Sequence, residues 1–143
     1  MYDSTLTRQS LPSERYRLLL GTAIGVFNSN NGFVIENLLR IDDLASWYKL
    51  MDMSSGAVKS YARGKLPDEI IDLFGEVIDM RNRIIHSFQA TNDNEEQTMW
   101  TKEKSGKQFE ITEDYLVNFI RKNEQLAIML DEFRNRRKNK ASS

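Results

Sequence analysis

The chain has 143 residues, of which 40% are hydrophobic and 29% charged, and its formal net charge is −1. That is the length of one domain and an ordinary globular composition, which argues against a disordered or membrane-bound chain. With no cysteine and a single histidine, one chain can build no disulfide framework, no thiolate zinc site, no cysteine nucleophile and no histidine-rich metal site.

The near-neutral total hides an asymmetry. The last ten residues carry five of the 20 bases (Arg134, Arg136, Arg137, Lys138 and Lys140) and none of the 21 acids. An acidic body with a basic tail can touch a polyanion through that tail, and a solvated helix end reads the same way. Residues 138–143 are expected to form a flexible basic tail. No apolar run approaches the roughly 18 residues of a spanning helix; the longest, Leu18-Leu19-Leu20, is closed by Gly21-Thr22. The start, Met1 to Thr5, lacks the basic and apolar stretches of a signal peptide. These features favour the cytosol, without a membrane.

Residues 1–10 are polar and expected to be loose, and one helical domain is expected over residues 11–137. A helix should start at Ser10 or Ser13 around Pro12, because Tyr16, Leu19, Leu20, Ala23, Ile24 and Phe27 recur at three- and four-residue spacing. Asn28-Ser29-Asn30-Asn31-Gly32 reads as a turn. A second apolar stripe follows, with Phe33, Val34, Leu38, Ile41, Leu44, Ala45, Tyr48 and Met51. A short helical segment is expected within Met53 to Lys65, ending near Gly64. Pro67 then opens a third long helix with Asp68 and Glu69 near its positive end; its stripe is Ile70, Ile71, Phe74, Val77, Ile78, Ile84 and Ile85. Thr98-Met99-Trp100-Thr101 and Gln108-Phe109-Glu110-Ile111 flank the turn cluster Lys104 to Lys107, which predicts a hairpin over about 97–111. The last helix should run from Thr112 to about Arg137. The expected fold is all-α: a bundle of four to five helices with a small β-hairpin inserted before the last long helix.

Three helices carry polar residues inside their apolar stripes. At about 100° per residue, Arg81 falls within about 20° of Ile70, in the middle of the third helix's stripe. A guanidinium cannot be neutralised, so burying it unpaired costs several kcal/mol. Either a carboxylate meets Arg81 inside the fold, as a structural ion pair, or this side of the helix lines a cleft or a second subunit. Asn82 and His86 lie at the polar margin of the same stripe, four apart and therefore adjacent. A histidine at such a margin is a catalyst or a hydrogen-bonded bystander. Asn37 and Asn123 sit mid-stripe in the other two helices and read as satisfied buried amides.

The segment Met80-Arg81-Asn82-Arg83-Ile84-Ile85-His86 resembles the signature of the HEPN superfamily: an Arg, often followed by a polar residue such as Asn, then a His five to seven positions after the Arg. The setting is similar too, with the motif late in a long helix of an all-α bundle and another long helix behind it. The resemblance covers residues 12 to 137 as a fold and Arg81 to His86 as a motif. It implies a metal-independent endoribonuclease of the toxin or antiviral abortive-infection kind, acting as a homodimer on RNA, without metal or cofactor. Attack by the neighbouring 2′-OH would leave a 2′,3′-cyclic phosphate and a 5′-OH. His86 would then be the acid or base, Arg81 would hold the phosphate oxygens, and Asn82 would fix the phosphate or the imidazole. A second protomer would supply the second histidine. A cognate antitoxin or regulatory protein is expected only through the family. Phe88 stands where the branch paired with a nucleotidyltransferase carries a Tyr modified by AMP transfer, so that modification is not carried over.

Cationic residues that could meet the substrate backbone are Arg83, the hairpin's Lys102, Lys104 and Lys107, and Arg136 and Arg137 in the last helix. Trp100 either stacks a base or packs the hairpin onto the bundle. The competing function is a catalytically inactive helical dimerisation module that binds a protein partner or a nucleotide. A carboxylate-metal centre is disfavoured, since no Glu lies three residues before His86.

Overall fold

The structure, a computed structural model, describes residues 5–142, the last three as backbone only. Residues 1–4 of the expected loose N-terminus, and the side chain of Lys140, lie outside the described residues. The order is α1 (Glu14–Ile41), α2 (Trp47–Asp52), α3 (Ser55–Ala62), α4 (Asp68–Ile85), β1 (Phe88–Thr91), β2 (Gln97–Lys102), β3 (Gln108–Ile111) and α5 (Glu113–Ser142). This is a mostly helical bundle with a small antiparallel sheet set before the last helix, as the residue pattern suggests.

α1 starts where Ser13 Oγ accepts from the Tyr16 N–H at 3.1 Å, a side-chain cap on an orphan donor. It then runs straight through the expected turn at Asn28–Gly32. Tertiary hydrogen bonds override the local preference there. Asn30, buried, donates from Nδ2 to the Asn123 carbonyl at 2.8 Å and to Asn123 Oδ1 at 3.0 Å. Asn31 Oδ1 accepts from Ser55 Oγ at 2.9 Å. The polar run is the part of α1 that grips α5 and α3.

Fusing two expected helices has a consequence. α1 is long and apolar enough to cross a bilayer by length and composition, with a mean hydropathy of 1.3 over its best window. Its inner face, Tyr16, Ala23, Phe27, Val34, Ile35 and Leu38, is buried in the bundle core.

The break comes later, at Asp42. Its Oδ1 accepts from the Leu44 N–H at 3.0 Å and its Oδ2 from the Tyr61 hydroxyl at 2.5 Å, an Asx turn locked to α3. The expected second stripe therefore fails beyond Ile41. Leu44 is 90% exposed, and Tyr48 and Met51 are also exposed. α3 is capped by Ser54, whose Oγ accepts from the Ala57 N–H. The chain turns after α3 at Gly64, which sits at φ 79°, a conformation that favours glycine.

α4 begins after Pro67 and buries Ile70, Ile71, Leu73, Phe74, Val77, Ile78 and Ile84; Ile85, expected inside, is 45% exposed. α5 begins at Thr112, whose Oγ1 accepts from the Tyr115 N–H, and continues through Ser142. Neither glycine nor proline follows Arg137, and basic side chains suit the negative end of a helix. Residues 138–142 of the expected tail are thus the last turns of α5, and Ser143 lies outside the described residues.

α1 and α5 run in the same direction, as the contacts Arg15–Glu113, Phe27–Phe119 and Asn30–Asn123 advance together. α4 runs against them. Glu76 pairs with Lys122, and Pro67 shares a cleft with Phe133, Arg136 and Arg137.

The sheet has the order β1-β2-β3. β1, Phe88–Thr91, was not foreseen; it pairs Phe88 with Trp100 and Thr91 with Gln97. β2 and β3 form the expected hairpin, with Gly106 at φ 92° in its turn. The sheet's inner side faces the bundle: Thr101 and Ile111 are buried. Tyr16 fastens it to α1, donating its hydroxyl to the Ile111 carbonyl at 2.6 Å and accepting from the Met99 N–H at 3.0 Å.

Candidate active site

Arg81 lies in the last turns of α4, half-buried against the core. Its guanidinium carbon sits 4.7 Å above the centre of the Phe27 ring. Phe27 is itself held between Phe74 and Phe119, with ring centres 6.5 and 6.3 Å away. Among the described residues no carboxylate pairs with Arg81, and its buried Nε has no hydrogen-bond acceptor. The structural ion pair is therefore not formed. Burial pulls the Arg81 guanidinium below its ordinary value, yet so strong a base stays charged at neutral pH. The result is a cation whose attraction to an aromatic face leaves its terminal N–H groups free for an anion.

His86 is the cap of α4, with φ −98° and ψ 22°. Its N–H donates to the Asn82 carbonyl at 3.1 Å, and its side chain is exposed. Ser87 closes the helix by donating its hydroxyl to the Ile84 carbonyl. Asn82, half-buried, stands one turn before His86, so the two side chains share an edge of the helix. Arg81 is about 140° away from His86 around the axis. One chain thus presents an exposed imidazole and a half-buried guanidinium on different sides of one helix end. Clefts of about 650 Å³ beside Trp47 and Arg134, and of about 320 Å³ beside Glu110 and Glu113, lie away from both residues.

Of the other cationic residues, Arg83 donates from Nη1 to the Lys102 carbonyl at 2.6 Å. It pins β2 to α4, and it brings the Lys102 backbone beside the motif. Lys104 and Lys107 are exposed at the hairpin turn. Arg136 and Arg137 are not near the motif. They line a cleft with Pro67 at the opposite end of α4, and the 18 residues between put roughly 27 Å between the two ends. Within one chain they stand too far from His86 to touch the same phosphate.

The asparagines of the stripes are satisfied. Asn37 Nδ2 donates to the Phe33 carbonyl at 3.0 Å, and Asn123 Nδ2 to the Phe119 carbonyl at 2.9 Å. Two residues escaped the sequence reading. By sequence pattern Phe27 reads only as core, and Phe88, 46% exposed just after His86, only as the replacement of a Tyr. An aromatic residue two positions beyond a lone histidine was the available signal. Comparison of the chain with family models, with curated proteins and with solved structures found no match, so the site is read from its own residues.

Proposed function

We propose that this protein is a metal-independent endoribonuclease that works as a homodimer, of the HEPN kind that its Arg81-Asn82-x-x-x-His86 motif resembles. The observation that carries this reading is the Arg81 guanidinium, half-buried with no carboxylate partner among the described residues, on the same helix end as the exposed, only histidine. A half-buried guanidinium without an acidic partner is suited to bind an anion, and a phosphodiester supplies one.

In the reaction, a base takes the proton of the 2′-OH and the 2′-oxygen attacks phosphorus. The bond from phosphorus to the 5′-oxygen then breaks, and that oxygen receives a proton. The products are a 2′,3′-cyclic phosphate and a 5′-OH. Histidine titrates close enough to neutrality to be either the acid or the base. One chain has one, so two copies related by a two-fold axis supply both and bring each Arg81 to the shared phosphate. Arg81 stabilises the charge that builds on the phosphorane oxygens, and Asn82 donates to the phosphate or orients the ring. This chemistry suits a toxin or antiviral effector restrained by a partner protein in the cytoplasm.

The test is cleavage of a labelled RNA in EDTA by wild type and by His86→Ala, with the product ends identified. Cutting by wild type alone, leaving cyclic phosphate ends and sparing the matching DNA, is the expected result. Cutting that survives His86→Ala overturns the assignment. A folded, dimeric wild type that cuts none of several RNAs turns the reading towards a binding module.

A further inference from the structure

The outer face of the sheet holds a feature that the cleavage chemistry leaves unused. The strand register sets Phe88, Trp100 and Glu110 in one row across β1, β2 and β3, and residues directly opposite each other project from the same face. Phe88 is 46% exposed on the edge strand. Trp100 is half-buried beside it, with Nε1 donating to Thr98 Oγ1 at 3.1 Å, which fixes the indole. Lys102, exposed, is the next residue of β2 on that face. Phe88 follows His86 by two residues, at most about 7 Å of chain.

A single exposed aromatic side chain is unremarkable. Here an exposed Phe and a half-buried Trp stand in register beside a lysine, at the exit of the helix that presents the histidine. We propose that Phe88 and Trp100 form a platform on which an unpaired base next to the scissile phosphate stacks, so that the substrate is single-stranded RNA; this rests on the ribonuclease reading. Aromatic faces bind any exposed base but not one hidden in a duplex. Glu110, across the row, accepts from Thr98 and Asn92, and its carboxylate repels phosphate from β3. The backbone of the bound strand is thereby steered towards Lys102.

The experiment measures binding apart from cleavage. The probe is a short fluorescein-labelled RNA, fully 2′-O-methylated and so lacking the nucleophile, offered as a single strand and as a duplex to wild type, Phe88→Leu and Phe88→Tyr. Wild type should prefer the single strand. Phe88→Leu should weaken single-strand binding on the order of tenfold and leave duplex binding unchanged, while Phe88→Tyr retains the affinity. In a Trp47→Phe background, the single strand should quench the Trp100 emission. Folded Phe88→Leu that binds the single strand like wild type overturns the platform. So does a Phe88→Leu that dissociates a dimer while keeping its RNA affinity, because the face then belongs to a second copy. Cleavage of unmodified RNA is followed in parallel. Wild type that cleaves without any Phe88 effect loses only the platform; wild type that binds through Phe88 but cleaves nothing keeps the platform and loses the nuclease.

Discussion

Arg81 rests on the ring of Phe27, its guanidinium carbon 4.7 Å from the ring centre, where a carboxylate would have been the ordinary partner. The ring holds the side chain in place but uses up none of its donors. A carboxylate would have neutralised the fork and stabilised the fold at the expense of anion binding. This arrangement sets stability against function in a way that substitution can read.

Arg81→Met keeps much of the stem and removes the buried charge. Stability should stay within about 1 kcal/mol of wild type or rise, since replacing an ill-paired charge by an apolar side chain is neutral or stabilising. RNA cleavage should fall by about a hundredfold or more, the usual cost of losing a donor to the transition state. Urea unfolding and initial cleavage rates on the same preparation check both. A large stability loss would show that the residue is structural.

The two cation groups can be separated by their salt dependence. Replacing Lys102, Lys104 and Lys107 by Ala should weaken RNA binding and flatten the slope of log affinity against log salt by about 2, at roughly 0.7 per phosphate contact on a single strand. Replacing Arg136 and Arg137 should leave cleavage within about twofold, because they stand at the far end of α4. Titration of binding against salt, variant by variant, decides it.

Asn30 and Asn123 should be coupled. Asn30→Ala removes the Nδ2 donor that the Asn123 carbonyl and Oδ1 share in a buried contact between α1 and α5, at a cost of about 1–3 kcal/mol. The double variant should lose less than the sum of the single ones, with an interaction of about 0.5–3 kcal/mol in a double-mutant cycle on unfolding free energy.

Tyr16→Phe removes the link between α1 and the sheet and should cost about 1–3 kcal/mol, since the Met99 N–H and the Ile111 carbonyl lose their partner. Burial raises the Tyr16 phenol above its ordinary value. A raised folded-state value means the stabilisation is complete below the unfolded value, about 10, and is lost as pH rises from there through the folded one. Tyr115, also raised by burial, and Tyr61, raised by its hydrogen bond to Asp42, add to the same window. Wild type should therefore lose stability steeply from about pH 10 upward, and Tyr16→Phe less steeply. Urea midpoints across that range provide the check.

Where a pattern was long and unbroken, the residues themselves declared the fold. α4 and α5 follow from Ile70 to Ile84 and from Leu116 to Phe133, and the hairpin from its lysine-rich turn. The expected turn at Asn28–Gly32 failed because Asn30 and Asn31 found acceptors and donors on α5 and α3, which no local preference encodes. Leu44 and Tyr48 were placed inside because the periodicity ran on past Asp42, where one carboxylate ends the helix. β1 is four residues long and owes its shape to pairing with β2. The position of Arg81 as a misfit in its stripe was legible; its stacking on Phe27, a residue 54 positions earlier, was not. That Arg136 and Arg137 stand at the Pro67 end of α4 was not legible either, because charge has no address until the helices are laid side by side.

The parallel course of α1 and α5 matters to anyone who handles the protein. Gln89 on β1 donates to the Ser10 carbonyl at 2.6 Å, which holds the segment ahead of α1 against the strand that follows His86. α5, 30 residues long, carries the opposite terminus roughly 45 Å along its axis. Tethering the molecule to a surface through the far end of α5 therefore keeps the histidine open to solution.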